Sequence, residues 1–167
     1  MTAAVLMAAG SALAQTVTDP LTKSLLGTFA RIEGNITKAA EQVPEADYAF
    51  KPTPAVRSFG ELLGHVVDAN YGICSAAAGE KVAGVNAEKT MTKKADLQKA
   101  LTDAFAYCDK VFAGMTDAKG AEPVSFFGGQ QPRLAVLAFN TSHDFEHYGN
   151  IVTYMRLKGL VPPSSQR

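Results

Sequence analysis

The sequence is short of most features that would mark a specialised chain. Charge of one sign is missing: sixteen Lys and Arg balance sixteen Asp and Glu. No basic field is therefore present for nucleic acid or an anionic membrane, and no acidic tail. Cysteine is scarce, two in 167 residues. That excludes a disulfide-stapled mini-protein, and the absence of Cys-x-x-Cys removes a thioredoxin-like or cysteine-zinc motif. With only eight prolines and 47% hydrophobic residues the chain is too apolar for disorder. No apolar run approaches the roughly 20 residues that span a bilayer. No stretch alternates apolar and polar residues for long enough to make a sheet. What is there is one domain's worth of chain, able to bury a core without staples.

Residues 1–14 read as an export leader. A short apolar run through Val5, Leu6 and Met7 leads to the small-x-small site Ala12-Leu13-Ala14. The first basic residue is Lys23, so the expected leader is a truncated one, and the competing reading is an Ala-rich helical extension. Residues 15–167 are then the mature domain, destined for the bacterial periplasm or the cell exterior. Cys74 and Cys108 suit a single disulfide in such a compartment; in cytosol they would be buried thiols.

Four segments carry helical periodicity, which gives an all-α class and a four-helix bundle. The first covers about residues 19–43, with Leu21, Leu25, Phe29, Ile32 and Ile36 on one face and Pro44 as its stop. Ser58-Phe59-Gly60-Glu61 has capping-box spacing and opens a second helix that reaches Ala78, with Gly79 as its end. The third runs from Thr92 or Lys93 to Met115. The fourth starts near Pro132 and ends at Lys158, before Gly159 and Pro162-Pro163.

The link over residues 79–91 is long enough to travel the roughly 30 Å of a 20-residue helix, so a crossover is allowed. Cys74 and Cys108 lie at similar depths in the second and third helices. Antiparallel helices would separate them axially by about 16 Å, whereas a disulfide needs Cα atoms within about 7 Å. A Cys74–Cys108 bridge therefore implies parallel neighbours and an up-down-down-up order.

The three histidines are His65, His143 and His147. His143 and His147 are four apart on the fourth helix, with Cβ atoms about 6 Å from each other, close enough to grip one ion. They belong to its inward stripe, Val136, Asn140, His143, His147, Ile151 and Tyr154, and His65 belongs to the matching stripe Leu62, His65, Ala69, Ile73 and Ala76. Two readings follow from position alone: core histidines hydrogen-bonded to Tyr or Asn neighbours, or three imidazoles on one divalent ion with a coordination position left open. Glu146 and Asp144 are the nearest carboxylates in sequence, as orienters of an imidazole or as a base. Asp68 and Asn140 are further supporting candidates, Arg156 a candidate anion ligand, and Tyr71, Phe126, Phe127 and Tyr154 candidate pocket residues. The string His143-Asp144-Phe145-Glu146-His147 also matches the H-x-x-E-H of inverted zinc peptidases. No acidic residue follows His147 to serve as their further ligand, which argues against that assignment.

Three strings together resemble the DinB/YfiT-like superfamily: Ser58 to His65, then His143-Asp144-Phe145-Glu146-His147-Tyr148-Gly149-Asn150, then Tyr154 to Pro163 with its Arg156 and Gly159-Leu160-Val161-Pro162 ending. The resemblance implies an up-down-down-up bundle whose three histidines hold a divalent metal; three imidazoles and a water suit several ions, and Zn or Ni is expected before Fe or Mn. It also implies thiol-dependent transfer or isomerisation, with mycothiol, bacillithiol or glutathione, in those members that have activities. Asn150, Tyr148 and Glu146 depart from residues common in the family. An exported chain meets little reduced thiol, so the expectation is metal-assisted transfer or hydrolysis of a small molecule. The alternative is a non-catalytic protein whose ion ties the second helix to the fourth. Partners expected are a small molecule and, as is common for bundles of this size, a second copy in a homodimer; nucleic acid and membrane are not expected.

Overall fold

The computed structural model describes residues 18–166, so the leader at residues 1–14 lies outside the described residues. The chain forms α1 (Pro20–Gln42), α2 (Phe59–Ala78), the single turn α3 (Ala87–Thr90), α4 (Lys94–Ala113), the single turn α5 (Asp117–Gly120), strands β1 (Pro123–Phe126) and β2 (Gly129–Pro132), and α6 (Arg133–Leu157). The bundle is built from α1, α2, α4 and α6. No helix among the described residues is long and apolar enough to cross a membrane.

Local chemistry sets the ends of α2. The Ser58 hydroxyl accepts the Glu61 backbone N–H, and the Glu61 carboxylate accepts the N–H of Ser58, so two orphan donors of the first turn are satisfied reciprocally. Gly79 closes the helix at φ 76°, a left-handed position that suits glycine. The start of α1 is held from far along the chain. Asp19 precedes the helix but does not cap it with its side chain. Asp117 does so from α5, accepting the N–H groups of Leu21 at 3.1 Å and Thr22 at 2.8 Å. Asp19 in turn accepts the Asp117 N–H at 2.9 Å.

Helix directions follow from which ends meet. The Lys94 ammonium donates to the carbonyl of Val43, and Phe112 stacks on Phe29 at 4.9 Å, so α4 runs antiparallel to α1. Tyr154 donates to the carbonyl of Arg57, and Arg133 donates to that of Ala77, so α6 runs antiparallel to α2. At the start of α2, Gly60 sits against Leu97 near the start of α4, and toward their far ends Cys74 is bonded to Cys108 with Cα atoms 5.4 Å apart. Those two helices are therefore parallel, and the order is up-down-down-up, with residues 79–93 as the crossover. Both cysteines are fully buried.

The segment before α6 differs from expectation. Residues 123–132 form an antiparallel hairpin, Phe126 opposite Gly129, and Pro132 ends β2 instead of opening the helix. Phe127 and Gly128, at φ 46° and 77°, make the two-residue connection with both residues left-handed, the backbone that matches strand twist. Aromatic and aliphatic side chains of the four long helices, among them Phe29, Phe59, Phe105, Phe112 and Met155, fill the core.

Candidate metal centre

His65 from α2 meets His143 and His147 from α6. The Nε2 atom of His143 lies 3.3 Å from that of His65 and 3.0 Å from that of His147, and one ligand nitrogen from each ring falls within 4.8 Å of the others. Ligand atoms around a tetrahedral zinc ion are about 3.3 Å apart, so the spacing suits one ion.

Proton accounting points the same way. His65 Nδ1 lies 2.9 Å from Glu88 Oε2; a carboxylate only accepts, so the ring proton sits on Nδ1 and the Nε2 lone pair is free. Burial, reinforced by the neighbouring imidazoles, pushes the His147 pKa down to about 4, and burial also lowers that of His143. Both rings are thus neutral near pH 7. A neutral ring carries one N–H, so His143 Nε2 cannot donate to both of its ring neighbours. The Nδ1 atoms of His143 and His147 are buried without a hydrogen-bond partner. With their protons on Nδ1, His143 and His147 would turn their Nε2 lone pairs toward that of His65, where one divalent cation would satisfy the three together, and the donor set fits a metal that takes imidazoles.

The residue that orients His65 comes from the crossover. Glu88, in α3, places one oxygen on His65 and the other on the Arg57 guanidinium at 2.9 Å. Its main chain is held by Asp68, which accepts the N–H of Ala87 at 2.8 Å and of Glu88 at 3.0 Å. Gly64 lets α3 lie this close. A Cβ built on it would stand 2.6 Å from both Cα and N of Glu88, less than any real carbon contact. Asp68, Gly64 and Glu88 form one support that carries the His65 proton.

The two carboxylates nearest the histidines in sequence part company. Asp144 is fully buried and accepts from the Asn70 amide at 2.9 Å. Burial outweighs that bond and raises its pKa to about 8. It makes no hydrogen bond to an imidazole; it belongs instead to a buried polar group in which Asn140 donates to Asn70 at 2.8 Å. Glu146 is exposed on the rim of a cavity of about 600 Å³ that is also lined by Arg57, Glu88, His147, Asn150 and Tyr154. Neither carboxylate orients a ring, which Glu88 does. Arg156 is exposed and bonds Ser165, and the arginine beside the histidines is Arg57. Tyr154 lines the cavity, Tyr71 packs on Tyr107, and Phe126 and Phe127 join Phe139. Sequence reasoning missed Glu88, Arg57 and Gly64. Of these only Gly64, a glycine beside a candidate ligand inside a helix, carried a local signal, that of close backbone approach.

The fold has solved counterparts. A DinB-like protein from Bacillus cereus superposes with a TM-score of 0.74 at 20% identity, over 84% of this chain and 95% of that one. A DinB-like protein from Bacillus subtilis gives 0.68 at 18% identity, over 86% and 99%. The mycothiol-dependent maleylpyruvate isomerase gives 0.65 at 14% identity, over 81% of this chain and 63% of its own. At such identities the likeness is one of fold. No curated protein matches the chain. The sequence pattern of the DinB superfamily matches residues 28–151, a span that holds all three histidines and the crossover between them, and the chain belongs to that superfamily.

Proposed function

We propose that this chain is an exported metal-binding protein in which His65, His143 and His147 hold one divalent ion, Zn or Ni before Fe or Mn, and that it carries out transfer or hydrolysis on a small molecule. The observation that carries the reading is the convergence of three imidazole nitrogens within 4.8 Å, with the His65 proton held away from them by Glu88. The bound ion would supply Lewis-acid polarisation and a lowered pKa for a bound water. Glu88 fixes the His65 tautomer, and Arg57 balances the Glu88 charge. Glu146, on the cavity rim, is the carboxylate able to take a proton from a molecule bound there. Asp144 is walled off from the cavity and serves the packing of α2 on α6. The thiol chemistry named for the isomerase stays with that protein, because the buried disulfide suits an oxidising compartment where reduced thiol is scarce.

Metal content by mass spectrometry, on protein purified without chelator or nickel resin, tests the reading. About one equivalent in wild type and little in His143→Ala is expected for a single three-histidine site. A metal-free wild type that also ignores added Zn and Ni refutes it. If chelation unfolds the bundle and no small ligand reaches the ion, the metal is a tie between α2 and α6 and the protein is not an enzyme.

A further inference from the structure

We propose that the cleft between the hairpin and α6 is a subsite for a flat apolar group, so that the small molecule taken at the metal centre carries an aryl or similar ring beside its metal-binding head. The inference rests on the metal reading above and adds the substrate class.

A row of rings joins the hairpin tip to the histidines. Phe127 contacts Phe126 at 4.2 Å, Phe126 meets Phe139 edge-on at 5.3 Å, and Phe139 lies nearly parallel to His143 at 6.3 Å. The cleft along this row measures about 320 Å³ and is bounded by Phe126, Phe127, Gln131, Ala135, Val136 and Phe139. None of these is charged. The cavity on the His147 side, by contrast, holds Lys51, Arg57, Glu61, Glu88 and Glu146. The aromatic cleft ends at Phe139, one turn of α6 before His143, and the polar cavity lies on the His147 side, a placement that matches a molecule with a polar head and a ring.

Phe127 is the clearest sign that the fold does not need this wall for itself. It is 81% exposed and sits at φ 46°, a turn position that favours Asn or Gly. A phenylalanine there leaves an apolar ring in water and takes a less favourable backbone while burying almost nothing. Rings seek offset or edge-on partners, and a bound ring would supply one to Phe127 and Phe139 at once.

Zinc-loaded protein titrated calorimetrically with acetohydroxamate and with benzo-, phenylaceto- and 3-phenylpropionohydroxamate tests this, since all four share one metal-binding head. At least one aryl compound should bind wild type about tenfold tighter than acetohydroxamate, the gain expected for placing a ring among rings. In Phe127→Asn, whose side chain supports no core packing, that gain should fall to about twofold, with zinc stoichiometry and acetohydroxamate affinity unchanged. No aryl gain in wild type, or a gain that survives both Phe127→Asn and Phe139→Leu, overturns the inference. So does a sedimentation-detected dimer that Phe127→Asn dissociates, because the cleft would then be covered by a second copy. Failure of wild type to hold zinc sinks the metal reading itself and this inference with it, whereas normal acetohydroxamate binding without an aryl gain sinks this inference alone.

Discussion

Substituting one hydrogen by a methyl group at Gly64 should disturb the metal centre without touching a ligand. In α2, Gly64 faces the backbone of α3, and an added Cβ would stand 2.6 Å from Glu88 Cα and 2.8 Å from the carbonyl carbon of Ala87. Carbon contacts settle at about 3.5–4.0 Å, so α3 must retreat by roughly 1 Å, because neither clashing group is a flexible side-chain end. The 2.9 Å His65–Glu88 hydrogen bond would then open to about 3.9 Å, beyond hydrogen-bonding range. Loss of a partner that orients a metal-bound histidine lowers affinity by about 10–100-fold, and forcing a methyl into filled space costs about 1–3 kcal/mol. Gly72, on the same helix with nothing within 4 Å, is the control: alanine there should stabilise by about 0.5–1 kcal/mol through helix propensity. Chelator-competition zinc titration and urea denaturation of both metal-free variants give the comparison. Should Gly64→Ala bind zinc as tightly as wild type and unfold no earlier than Gly72→Ala, the account of the crossover as the support of His65 is wrong.

Glu88→Gln keeps an acceptor for His65 but loses the charge, and should weaken zinc binding by about tenfold, with Glu88→Ala nearer 100-fold; competition titration reads both. Replacing Cys74 and Cys108 by Ser releases a closure across 34 residues and should cost about 3–4 kcal/mol in urea unfolding, while wild type treated with reductant in denaturant should gain two mass units and lose a similar amount. Burial first, and Asp109 second, raise the Glu33 pKa to about 7. A folded pKa above the unfolded one means that its contribution is complete below about pH 4.5 and is lost as pH climbs through about 7. Glu33→Gln should therefore exceed wild type in stability at pH 8 by roughly 1–2 kcal/mol, allowing for partial solvent screening, and match it near pH 4.5; a constant difference across that window refutes the assignment.

The parts of this molecule that were legible in the sequence are those whose cause is local. The ends of α2 were readable because Ser58, Glu61 and Gly79 satisfy the orphan groups of their own helix. The pairing of His143 with His147 was readable because four residues bring side chains to one face. Parallel α2 and α4 followed from the depth of two cysteines once a bridge between them was supposed. Glu88 was not readable, since a single turn within a long connection has no periodicity and its place is fixed by Asp68 and by the absence of a side chain at Gly64. Nor was the hairpin, whose strands are only four residues long and whose turn puts Phe127 where Asn would have announced it. The place of Asp144 was hidden for a related reason: adjacency in sequence to a ligand rotates a helical residue by about 100°, here into the core.

The clasp between Asp19 and Asp117 bears on the order in which the chain matures. The main-chain donors at the head of the first helix find their acceptor 96 residues further along, so any fragment that stops short of Asp117 has that end open to water. Closure of a loop of such length is slow relative to winding a helix. The head of α1 is consequently among the last places to be fastened, and in a nascent chain it stays unclasped until the segment that precedes the hairpin has arrived.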